Sequence, residues 1–217
     1  MRTLAIVSVL LFGCGDDTQA TPDGAMPDGR PAIDAPAVDA PMPDASVQAP
    51  PVPDALVVPE TGDILLLRAP AIGVQIYTCT AMTVDAGASS FDGGSDDGGV
   101  PSQAYSWVFT APSATLFDDS MQAIGQHYAG PTWELSTDGS RVVGMVVAKA
   151  TPDPTAIPWL LLHAVSTSQS GLLSRVHYIQ RLSTVGGLAP TSTCDPSTVG
   201  HTAGVDYRAT YYFWGPQ

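Results

Sequence analysis

The chain has 217 residues and a formal charge of -13, from 21 acidic and only 8 basic side chains. So acidic a balance argues against a nucleic-acid partner, because binding to phosphate needs a basic footprint. Apolar residues make up 44% of the chain, enough for a sizeable core if they are concentrated in one part of it.

The first part is not that core. Met1-Arg2 gives a positive start, and the run from Leu4 to Phe12 is uncharged. A bilayer span needs about 20 apolar residues, whereas the apolar segment of a secretion signal needs about 7 to 15. Residues 1–13 therefore read as a signal peptide. Its end, Leu11-Phe12-Gly13-Cys14, resembles the bacterial lipobox, which implies that Cys14 is the lipidated residue after cleavage. Two or more acyl chains hold a protein stably to a membrane where one holds it marginally. The expected location is the bacterial cell envelope, lipid-anchored and facing the periplasm or the outside.

Residues 14–57 repeat Pro, Asp and Ala, with nine prolines between Pro22 and Pro53 and no aromatic side chain. Such a segment has little apolar surface to offset the entropy of ordering it, and it reads as a disordered spacer. Residues 58–217 then form a single β-rich globular domain. Its apolar runs, "DILLLRAP", "VQIYTCTAMTV", "AYSWVFT", "RVVGMVVAK", "WLLLHAV", "SRVHYIQRL" and "DYRATYYFW", have strand length and β-branched or aromatic content, and none sustains helical spacing. The expected fold class is all-β, an antiparallel sandwich or barrel. "ATLFDDSMQAIGQHY" reads as two strands around an acidic turn.

The segment 85–99, "DAGASSFDGGSDDGG", is spaced with acids but lacks the closing Glu of an EF-hand. It reads as a solvated loop, with calcium binding left open. With Cys14 lipidated, Cys79 and Cys194 remain as an even pair in an exported chain, and a disulfide is expected.

No Gly-x-Ser-x-Gly, His-Glu-x-x-His or phosphate-loop motif is present, and no cofactor or metal-ligand spacing either. The Gly130-Pro131 turn brings His127 and Tyr128 near Trp133 and Glu134. Glu134 beside His127 would suit a general base or an oriented imidazole, while Tyr128 and Trp133 equally suit a core. His163, inside an apolar run, reads as a hydrogen-bonded core residue. Alternation in "SRVHYIQRL" puts Arg175, His177, Ile179 and Arg181 on one face; that face suits an anion or sugar acid, or simply an exposed, charged strand face.

The segments "GVQIYTC", "HYAGPTWE", "DGSRVVG", "IPWLLLHA" and "HYIQRLSTVGG", with a closing "ATYYF", occur in the order found in the secreted bacterial and fungal family named domain of unknown function 3455, which the chain resembles over roughly residues 62–214. The resemblance implies secretion and carries over no established activity. A dinucleotide-dependent dehydrogenase is not supported, as no Gly-x-Gly-x-x-Gly turn follows a strand. Two functions stand: a binding module for a small molecule or glycan, with Trp133 and Trp159 as flat apolar surfaces, and a hydrolase or lyase using Glu134 and His127.

Overall fold

Alternating side chains in the C-terminal run set the architecture. In "DYRATYYFWG" the residues Tyr207, Ala209, Tyr211 and Phe213 are buried in one cluster, and Tyr212 between them is buried in another. A strand with period-2 side chains that are apolar on both sides needs cover on both faces. The computed structural model, which describes residues 49–84 and 102–217, supplies it with a barrel inside and a strap outside.

The barrel is closed and antiparallel. β1 (Ile64–Val84) and β2 (Ser102–Phe117) make a long hairpin; β3 (Ala123–Tyr128), β4 (Thr132–Leu135), β5 (Arg141–Ala150), β6 (Trp159–Thr167) and β7 (Tyr178–Gly186) follow; β8 (Thr202–Gly215) pairs back with β1. Each strand pairs with its neighbours in sequence, and the β8–β1 ladder closes the sheet, so no open edge remains. Of the two expected architectures, sandwich or barrel, the chain adopts the barrel.

Small residues make room for large ones across the closing ladder. Ala69 pairs with Tyr211, Ala71 with Ala209 and Gly73 with Tyr207. Gly73 is also where β2 passes closest: a Cβ there would run into the Ser113 carbonyl and Ala114 Cα. One end of the lumen is filled by Leu116, Ile179, Phe213 and their neighbours. Burial of each such side chain contributes about 1.5–3 kcal/mol.

Turns form where the sequence marks them. Asp118 Oδ1 accepts from the amides of Ser120 (2.9 Å) and Gln122 (2.8 Å), which makes the acidic turn between β2 and β3. Gly130, at φ 111°, takes the left-handed position in the turn from β3 to β4. Asp138, beyond β4, accepts from the amides of Ser140 (2.8 Å) and Leu172 (2.7 Å), bonds that hold its carboxyl below the usual range. Cys79 and Cys194 form the expected disulfide, with Cα atoms 5.5 Å apart, tying β1 to the loop between β7 and β8.

The outer face of β6, β7 and β8 is covered by the segment before the barrel. Leu56, fully buried, packs with Leu161, Leu182 and Tyr212, and Ala49, Val52 and Val58 flank it. The packed unit thus begins before residue 58, where composition put its boundary: one leucine among prolines makes no periodic pattern, yet it fills a site on the sheet. Cys14, the remainder of the Pro/Asp/Ala segment and the acidic 85–99 stretch lie outside the described residues.

Candidate functional site

At the end of the lumen away from Leu116, Ile179 and Phe213, the barrel holds a partly open cavity of about 380 Å³. Its walls are mostly apolar: Phe109 and Pro112 of β2, Ile157 before β6, and Leu160 and Leu162 of β6. The polar lining comes from Gln75 and Tyr77 of β1, His127 of β3, Arg181 of β7 and Tyr211 of β8. Strand alternation explains the set, since each residue occupies an inward position of its strand.

Arg181 is the cavity's charge. Its Nε and Nη2 donate to the Pro158 carbonyl at 3.2 and 2.9 Å, and among the described residues no carboxylate pairs with it. The groups around it are held neutral. Burial lowers the His127 pKa to about 3, an effect the Arg181 charge reinforces and the bond to Thr132 opposes. Burial pushes the Tyr77 and Tyr207 phenols upward, and Tyr211 well above its usual range, with the Arg181 charge opposing all three. Near neutral pH the lining therefore carries one net positive charge.

Hydrogen bonds fix most of these groups. Tyr77 donates to the Gly187 carbonyl at 2.6 Å. His127 Nδ1 lies 2.9 Å from the Thr132 carbonyl, an acceptor only, so the proton of the neutral ring sits on Nδ1 and Nε2 is an acceptor. The imidazole stacks on Trp133, centroids 4.4 Å apart and planes within 10°. Two buried donors on lining residues remain without an acceptor: Gln75 Nε2 and Trp133 Nε1. Gln75 lies close enough to the Tyr207 phenol to ease its deprotonation, but its Nε2 makes no hydrogen bond of normal geometry.

The residues singled out in the sequence divide between the two sides of the sheet. His127, Trp133 and Arg181 meet at the cavity. Tyr128 and Glu134 meet on the outer side, the phenol donating to Glu134 Oε2 at 2.7 Å. His127 and Glu134 do not meet. The register pairs His127 with Trp133 and Gln126 with Glu134, and successive residues of a strand face opposite ways; the catalytic pair expected from the turn is not formed.

Trp159 packs outside with the Leu56 cluster. Arg175 falls in a short 3-10 turn, Leu172–Arg175, rather than in a strand, and His177 lies outside, 3.1 Å from Asp63 Oδ1. Only Ile179 and Arg181 of the expected charged face turn inward, and the face they share is the lumen, not solvent. His163, expected in the core, is exposed against the Tyr178 ring, centroids 5.2 Å apart.

Gln75, Tyr77 and Tyr211 were not among the sequence candidates. The alternation of Gln75, Tyr77 and Cys79 in "VQIYTC" was a usable signal, but it does not say which side is inside.

Eight antiparallel strands closed in sequence order, with an apolar-walled cavity open at one end, define a small up-and-down barrel. The chain belongs to the family described as "Protein of unknown function (DUF3455)", which matches residues 59–215 and so covers all eight strands. No curated protein and no solved structure matches it.

Proposed function

We propose that this protein is an exported, lipid-anchored module that binds a small molecule inside its barrel. The observation that carries the reading is the cavity of about 380 Å³ with apolar walls and a few convergent polar groups, the usual make-up of a small-molecule site. A small molecule is favoured over a glycan by the two tryptophans. Trp133 is 1% exposed and stacked on His127, and Trp159 packs under the strap, so neither offers an open face to a sugar. Binding is favoured over catalysis because His127, with its pKa lowered to about 3, is a weak base and has no carboxylate beside it.

Anchoring rests on the sequence around Cys14, and the Pro/Asp/Ala segment would hold the barrel away from the membrane. Cys14→Ser should abolish labelling by radioactive palmitate; persistent labelling would contradict the anchor. The binding reading is tested with the neutral apolar dye N-phenyl-1-naphthylamine, whose fluorescence should rise to saturation at one dye per chain. Leu160→Trp, which fills the cavity, should remove that signal without lowering the melting temperature. An undiminished signal in this variant would place the dye elsewhere.

A further inference from the structure

We infer that the cavity takes an apolar molecule bearing a single carboxylate, which is held by Arg181. The inference rests on the binding reading above and adds the chemical class of the ligand.

Among the described residues, Arg181 is the only ionised side chain lining the cavity, and no carboxylate is paired with it. Arg181 is half-buried, and a cation partly withdrawn from water without a counter-ion carries a desolvation cost. The bond to Pro158 supplies one neutral acceptor for Nε and Nη2. A guanidinium has five N–H donors in a planar fork, so enough remain to meet both oxygens of a carboxylate side by side.

Unmatched donors point the same way. Gln75 is 2% and Trp133 1% exposed, both line the cavity, and Gln75 Nε2 and Trp133 Nε1 have no acceptor. Buried N–H groups are rarely left unpaired, and those that are call for an explanation such as a missing ligand. Three lining residues thus share an excess of donors. A carboxylate, with about four lone-pair sites, can answer all three; a hydroxyl accepts at most two hydrogen bonds and an ammonium none.

The walls define the rest of the molecule. Leu160, Leu162, Ile157, Pro112 and Phe109 offer no side-chain hydrogen bonds, so hydroxyls of a sugar acid that faced these walls would lose water without gaining a partner. A phosphate monoester would bring two negative charges to one cation and leave the second uncompensated among apolar side chains. A monoanion with an aliphatic or aryl body matches both the charge and the surface.

The test measures displacement of N-phenyl-1-naphthylamine from the full-length protein at pH 7.5 by octanoate, octan-1-ol and octyl phosphate, which share one chain and differ in the head group. Octanoate should bind at least about tenfold more tightly than octan-1-ol, the factor expected for a hydrogen bond to a charged group, and more tightly than octyl phosphate. Arg181→Gln should remove that preference, so that the ratio of octanoate to octan-1-ol affinity falls to about one, and Arg181→Lys should restore part of it. Equal displacement by octanoate and octanol in the wild-type protein would overturn the inference and leave the binding reading intact. Preference for octyl phosphate would overturn the carboxylate assignment. If the dye does not bind and no probe protects the protein against thermal unfolding, both readings fall. The wild-type comparison decides the matter even if Arg181→Gln does not fold.

Discussion

Two buried glutamines, and the indoles of half-buried Trp214 and buried Trp133, distinguish the outer face of the barrel from its lumen. Under the strap, Gln180 Nε2 donates to the Leu56 carbonyl at 2.7 Å, and Gln180 Oε1 accepts from Trp214 Nε1 at 2.9 Å. In the lumen, Gln75 is as buried as Gln180, at 2% exposure each, yet Gln75 Nε2 and Trp133 Nε1 have no partner. The same residue types are saturated where they hold the chain to itself and unsaturated where they line a cavity. Paired polar groups beneath the strap serve structure. Unpaired donors beside an unpaired cation are what a binding site looks like when its acceptor comes from outside the chain.

If the strap is structural, breaking it should cost most. Leu56→Ala should lower stability by about 3 kcal/mol, within the range for a buried leucine, read as a fall in the urea midpoint at unchanged slope. Gln180→Leu should cost about 2 kcal/mol, because it leaves the Leu56 carbonyl and the Trp214 indole N–H unpaired. Midpoints unchanged in both variants would mean that residues 49–58 contribute nothing to stability, and the contrast with the lumen would disappear.

How far the sequence reaches can be judged on the same two faces. The all-β body was legible in the strand-length runs, the disulfide in the even cysteine pair, and the β3–β4 turn in Gly130-Pro131. The inside of the sheet was not legible. β7 places Ile179 and Arg181 on one side and Tyr178 and Leu182 on the other; both sides carry apolar residues because both are covered, so hydrophobicity alone does not orient the strand. The separation of His127 from Glu134 depends on loop length. The turn pairs Tyr128 with Thr132, and a register shifted by one residue would have put His127 and Glu134 on the same face. Arg181 became a site residue only through closure of the barrel, which is decided by long-range pairing.

A pH titration sharpens the comparison next. His127 is 3% exposed, and its pKa is lowered from 6.5 to about 3 in the folded chain. Between those values the unfolded chain binds a proton that the native state refuses, so stability is retained above about 6.5 and lost as pH falls toward about 3. The slope from this group is at most about 1.4 kcal/mol per pH unit. His127→Phe keeps a ring against Trp133 and removes the titration, so urea unfolding from pH 6.5 to 4 should be less pH-dependent in the variant by that slope. Carboxylates such as Asp138, held below its usual range by hydrogen bonds, add the same acid sensitivity to both proteins and cancel. Equal slopes would mean that water reaches the imidazole and that the lumen is wet at this depth.

The smallest expected effect is the most discriminating. Gln75→Met keeps the length of the side chain and removes an amide whose nitrogen has no acceptor. Losing an unsatisfied buried donor removes a desolvation cost and breaks no hydrogen bond of that nitrogen, and a near-isosteric apolar replacement disturbs the packing little. The urea midpoint should therefore move by less than about 0.5 kcal/mol in equivalent stability, or shift upward, where Gln180→Leu costs about 2. Octanoate affinity should fall in the same variant, because one of the donors assigned to the carboxylate is gone. A loss of stability matching that of Gln180→Leu would mean that Gln75 has a structural partner of its own, such as a bound water, and the two glutamines would then be doing the same job.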